Sequence, residues 1–103
     1  MKKEIAGVTI DVDEEGYLTD RSQWNRDIAN ALAAELGITL TDEHWKVLEF
    51  IEKDFKERGT VPGIRRLNKV GGIPTKKLYE LFPDGPVRKA ALIGGFPKPA
   101  SCV

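Results

Sequence analysis

Sulfur and imidazole are scarce in this chain. Among 103 residues there is one cysteine, one histidine and one methionine. One Cys and one His make a poor ligand set for zinc, so no metal site and no bound cofactor are expected. A single thiol cannot form an internal disulfide, and a reducing, cytoplasmic setting is the natural expectation. No apolar run approaches the ~20 residues needed to span a bilayer. The first residues, Met1-Lys2-Lys3-Glu4, lack the long apolar segment of a secretion signal, so no membrane role is expected. Charge of one sign is missing too. Sixteen Lys and Arg balance sixteen Asp and Glu, which gives no global attraction to nucleic acid. No carboxylate spacing suggests a catalytic pair, and no Ser-His-Asp pattern emerges.

What is present fits one soluble domain with a modest core: 41% hydrophobic and 31% charged residues. Residues 4 to 18 alternate weakly around Asp13-Glu14-Glu15-Gly16, which predicts a short β-hairpin turning at Gly16. Asp20 and Gln23 have the spacing of a capping box, ahead of Trp24, Ile28, Ala31, Leu32 and Leu36 at helical intervals. Gly37 stops that helix. Thr41 starts a second, with Trp45, Leu48, Ile51 and Phe55 as its inner stripe and Val47 and Phe50 flanking. His44 reads as structural or solvated. A third helix is expected from Pro62 and a fourth from Pro74 or Thr75. A fifth runs to Ile93, with Pro86 at its first position. The expected fold is mainly α: an orthogonal bundle of about five helices, a helix-turn-helix-like corner, a small N-terminal hairpin and an extended C-terminal arm. The division is a helical domain over 1–95 and a mobile arm over 96–103.

The only cysteine, Cys102, is on that arm, one residue from the end. Gly94-Gly95 releases the segment, and Pro97 and Pro99 stiffen it and forbid a helix. Eight residues from Phe96 onward reach roughly 25 Å when extended. Such a thiol is either an incidental surface group or a group to be delivered into another protein's pocket. The Val103 carboxylate is expected to raise its pKa, so reactivity would depend on a cationic environment. Lys98 on the arm and Arg65 or Arg66 on the body are the candidates to supply it. The segment 60–82 carries Arg65, Arg66, Lys69, Lys76 and Lys77 against Glu80. It reads either as a solvated basic corner or as a helix-turn-helix in which Arg66, Lys76 and Lys77 contact DNA.

Several runs resemble one known family. Leu81-Phe82-Pro83-Asp84-Gly85-Pro86 and Gly95-Phe96-Pro97-Lys98-Pro99-Ala100-Ser101-Cys102-Val103 are similar to the DsrC/TusE family of sulfur-relay proteins. So are Asp13-Glu14-Glu15-Gly16-Tyr17-Leu18, Thr41-Asp42-Glu43-His44-Trp45 and Ile64-Arg65-Arg66-Leu67. The resemblance implies that Cys102 carries sulfur as a persulfide between donor and acceptor proteins. That is sulfurtransferase-type chemistry by a carrier rather than a high-turnover enzyme. It implies that Arg65 and Lys98 bind the arm or the charged sulfur species, and that Tyr79, Pro97 and Pro99 contribute to docking. In the DsrC branch a second cysteine lies eleven positions upstream; here that position is Ala91. A disulfide or trisulfide between two cysteines of this chain is therefore ruled out. The single-cysteine pattern fits the TusE-like branch, which passes sulfur toward tRNA 2-thiouridine. The alternatives are an accessory subunit of a siroheme sulfite reductase and a DNA-binding regulator with a redox cysteine.

Overall fold

The computed structural model describes residues 1–100. Ala6 and Gly7 both take positive φ, 51° and 78°, and turn the chain between β1 (Lys2–Ile5) and β2 (Val8–Asp11). Positive φ at both central residues matches the right-handed twist of the flanking strands. The strands pair antiparallel, Lys2 opposite Asp11 and Ile5 opposite Val8. The hairpin thus turns earlier than the sequence suggested. The expected turn at Asp13–Gly16 is a second one, closed by an isolated bridge between Val12 and Leu18. There Asp13 Oδ1 accepts the N–H groups of Glu15 at 2.9 Å and Tyr17 at 3.0 Å. This short meander buries Ile5, Ile10, Val12, Tyr17 and Leu18.

Five helices follow, as the periodicity requires: α1 (Arg26–Glu35), α2 (Asp42–Arg58), α3 (Ile64–Lys69), α4 (Thr75–Leu81) and α5 (Pro86–Ile93). Asp20 and Gln23 do not open α1. Asp20 caps a separate 3-10 turn, Arg21–Gln23, and Gln23 exchanges two hydrogen bonds with Asp11. The cap of α1 is Asn25, whose side chain accepts the Ile28 N–H at 2.8 Å. Trp24 is therefore outside the helix. In α3 the start likewise moves from Pro62 to Ile64, because Gly63 is still extended.

The buried stripe of α2 is His44, Val47, Leu48, Ile51 and Asp54, rotated from the expected one. Trp45 and Phe55 are only half-buried. Two polar residues take interior places because each finds a partner there. The His44 Nε2–H donates to the Leu81 carbonyl at 2.8 Å, while Nδ1 accepts the Thr41 N–H at 3.0 Å. A carbonyl can only accept and an amide N–H only donate, so the ring is held as the Nε2–H tautomer. His44 is structural. Helix α5 is the hub: it touches α1, α2 and α4 and buries Val87, Ala90, Ala91 and Ile93. The Cα radius of gyration is 12.7 Å, close to the roughly 13 Å of a compact 100-residue domain.

Candidate functional site

Helix α5 delivers the chain directly to the cysteine-bearing segment. Gly94 ends the helix, with its N–H donating to the Ala90 carbonyl at 2.9 Å. Gly95 takes φ +75° and turns the chain back, so that the Phe96 N–H donates to the Ala91 carbonyl at 2.9 Å. Phe96 is then 1% exposed, its ring centroid 5.6 Å from that of Phe55. The expected arm over 96–103 therefore begins one residue late, because Phe96 is a core residue. Its burial follows from the Gly95 turn, which aims the ring inward.

A polar clamp holds this root. The Trp24 Nε1–H donates to the Ile93 carbonyl at 2.9 Å. The Arg21 Nε–H donates to the Gly94 carbonyl at 3.3 Å, and Arg21 Nη2 to Glu52 Oε2 at 2.9 Å. The same guanidinium lies 4.6 Å from the Trp24 ring centroid and 4.5 Å from that of Phe96. Arg21 holds the Glu52 carboxyl below its ordinary range, chiefly by this hydrogen bond. The clamp forms one wall of a cleft of about 220 Å³ that also includes Arg26, Trp45 and Glu49. Sequence reasoning missed Arg21 and Glu52 entirely. Their contacts to the segment span 73 and 31 residues, and no local pattern encodes such pairs.

Beyond Phe96, Pro97, Lys98 and Ala100 are exposed and Pro99 is buried. Lys98 Nζ reaches Glu15 Oε1 at 2.9 Å, so the segment runs past the Asp13–Tyr17 turn. Glu15 raises the Lys98 pKa, first through the hydrogen bond and then through its charge. Both side chains are about half exposed, at 52% and 55%. A pair that wet is weak and salt-screened. Burial pushes the neighbouring Tyr17 phenol up, while the Arg88 and Lys98 cations pull the other way. Cys102 lies outside the described residues.

The remaining candidates are scattered. Arg65 is exposed on α3 and lines a shallow groove with Arg58, Val61, Pro62, Lys69 and Val70. Lys98 has no part in that groove, so the two residues expected to bind the sulfur species are not brought together among the described residues. Tyr79 is 43% exposed and available for docking, as is Pro97; Pro99 is covered. Of the basic residues considered for DNA, Arg66 is forked onto buried Asp54 at 2.7 to 3.0 Å. Lys77 pairs with Glu43 at 2.9 Å, and only Lys76 projects outward. Among the described residues no group of three or more His, Cys, Asp or Glu is placed to hold a metal ion. No described helix is long and apolar enough to cross a membrane.

Comparison with known proteins adds an independent line. A family model described as "DsrC like protein" matches residues 4–103. A sulfurtransferase TusE homolog of Haemophilus influenzae is 40% identical over 106 residues, covering 96% of this chain and 97% of its own. The solution structure of Allochromatium vinosum DsrC superposes with a TM-score of 0.82 at 35% identity, over 99% of this chain and 97% of that one. The oxidized gamma-subunit of the dissimilatory sulfite reductase (DsrC) of Archaeoglobus fulgidus gives 0.79 at 34% identity, with both chains fully covered.

Proposed function

The chain belongs to the DsrC-like protein family, and from that premise we propose that it is a sulfur carrier whose working group is Cys102. The Cys102 thiolate attacks the outer sulfur of a donor protein's persulfide. The donor's S–S bond breaks, the donor leaves as a thiolate, and a new S–S bond leaves the persulfide on Cys102. An acceptor thiolate then attacks that outer sulfur, and Cys102 departs as the thiolate it began as. Each step exchanges one S–S bond for another, so no external oxidant or reductant is consumed. The protein supplies reach and docking rather than acid–base groups. The observation that carries this reading is positional: the chain's sole cysteine follows the buried anchor Phe96 by six residues, roughly 20 Å of extended chain.

Partners are a persulfide donor and a thiol acceptor of a sulfur relay. Delivery toward tRNA 2-thiouridine is the reading supported by the TusE relative. A subunit role beside a siroheme sulfite reductase is the second reading, supported by the Archaeoglobus fulgidus relative. Ala91 weighs against it, since this chain has no second cysteine for a disulfide-forming cycle. Co-purification with such an enzyme would favour that role.

Mass spectrometry after incubation with a cysteine desulfurase, its relay partners and cysteine tests the carrier. Wild type should gain about 32 Da, one sulfur atom, and Cys102→Ser should not. No gain on wild type, or an equal gain on Cys102→Ser, rejects the proposal.

A further inference from the structure

The clamp around Gly94–Phe96 is more elaborate than a helix end requires. A glycine pair ahead of a Pro-Lys-Pro run would by itself leave the chain direction poorly fixed. Here four side chains from three distant parts of the chain converge on it. Trp24 bonds the Ile93 carbonyl, and Phe55 packs on Phe96. Glu52 orients Arg21. Arg21 alone touches every member: it donates to the Gly94 carbonyl and lies against both the Trp24 and Phe96 rings. Its guanidinium is suited to this, being planar, permanently charged and able to stack while donating in its own plane. A lysine could keep the ion pair with Glu52 but not the stacked, forked contact.

We infer that Arg21 is a positioning residue for sulfur delivery: it fixes the point and direction from which the cysteine-bearing segment leaves the domain. With Phe96 seated, the hinge for any excursion falls at Pro97–Lys98, beyond the clamp. Only the wet Lys98–Glu15 pair and the burial of Pro99 then bear on the next residues. Without Arg21 the hinge slides back to Gly94–Gly95, and Cys102 samples a wider shell around the domain. The purpose assigned to this device rests on the carrier reading; the device itself does not.

Two measurements test it without any partner protein. In the first, amide exchange is followed residue by residue. Arg21→Ala should speed exchange of the Phe96 amide about ten-fold relative to that of Ile51 in α2, because opening is local and not global. In the second, nitroxides are placed on the native Cys102 and on an engineered Glu57→Cys. Arg21→Ala should widen their distance distribution about two-fold, reporting the lost anchor. Arg21→Lys should fall between, and it serves if Arg21→Ala melts. Arg26→Ala is the control. Arg26 lines the same cleft, over Trp45 at 4.3 Å, and should leave both readouts unchanged. If the folded variants keep the wild-type width and exchange pattern, or if all amides quicken equally, the assignment is overturned. A widened distribution with no persulfide on wild type would sink the carrier reading and leave the clamp standing.

Discussion

Asp54 is the residue whose environment is most at odds with its chemistry. It is 3% exposed on the inner face of α2, where an unpaired carboxylate would be untenable. Arg66 from α3 resolves this with a two-nitrogen fork onto both oxygens, and Arg58 one turn on adds a contact at 3.6 Å. The pair pins α3 against α2 at the corner that also carries Arg65. Asp54→Ala should cost about 2 kcal/mol, the scale of a charge-assisted bond lost with one partner still able to reach water. The pH dependence follows from the direction of the shift. Arg66, first by hydrogen bonding and then by charge, holds the Asp54 carboxyl below its ordinary 3.8. A depressed carboxylate stabilises the fold above the unfolded value and loses that contribution as pH falls through the folded one. The gap in urea midpoint between wild type and Asp54→Asn should therefore be full at about pH 6 and shrink below 3.8. A gap that persists unchanged at about pH 2 would mean that packing, not charge, holds the corner.

At the scale of elements, the α5-to-arm junction turns on one glycine. At Gly95 a Cβ would lie 2.5 Å from Trp24 Cδ1 and 2.7 Å from Cγ, at a φ of +75° that side chains avoid. Trp24 cannot retreat without breaking its bond to Ile93. Gly95→Ala should destabilise the domain by about 2 to 4 kcal/mol, combining a left-handed backbone with overpacking. Urea unfolding followed by tryptophan fluorescence measures it, and a change under about 0.5 kcal/mol would place the surroundings of Gly95 elsewhere. The same glycine marks the limit of what the chain order reveals. Gly94-Gly95 before a proline run reads as a release point, but the positive φ at Gly95 is a turn that seats Phe96 in the core. Both readings use the same freedom of glycine, and only Trp24 and Ala91, distant in sequence, decide between them. Helix number, the stops at Gly37 and Gly59, Pro86 opening α5 and the basic corner are legible because local rules determine them. Asn25 displaces Asp20 as the cap of α1 because Trp24 must stay extended to reach Ile93. The turn at Ala6-Gly7 escapes notice because alanine seldom takes positive φ. Arg21 and Glu52 have no local signature at all.

For the whole molecule, a formal net charge of zero and a basic corner largely spent on Asp54 and Glu43 leave little field for steering a polyanion. What the architecture offers a partner is geometry. A rigid helical body ends at a clamped Phe96, and the reactive residue follows at a fixed count of residues. If reach is the property in use, tether length should matter to delivery and not to intrinsic thiol chemistry. Deleting Pro97 and Lys98 shortens the maximum span by roughly 7 Å and removes the bond to Glu15. Loading of sulfur onto Cys102 from a cysteine desulfurase and its relay partners should fall about ten-fold in this variant. Alkylation of the same thiol by iodoacetamide, which needs no docking, should keep its wild-type rate. Inserting Gly-Ser after Phe96 is the converse case: it restores length but not stiffness, and loading should fall less than in the deletion. Equal loading of all three chains would show that the distance from Phe96 to Cys102 is not what the partners measure.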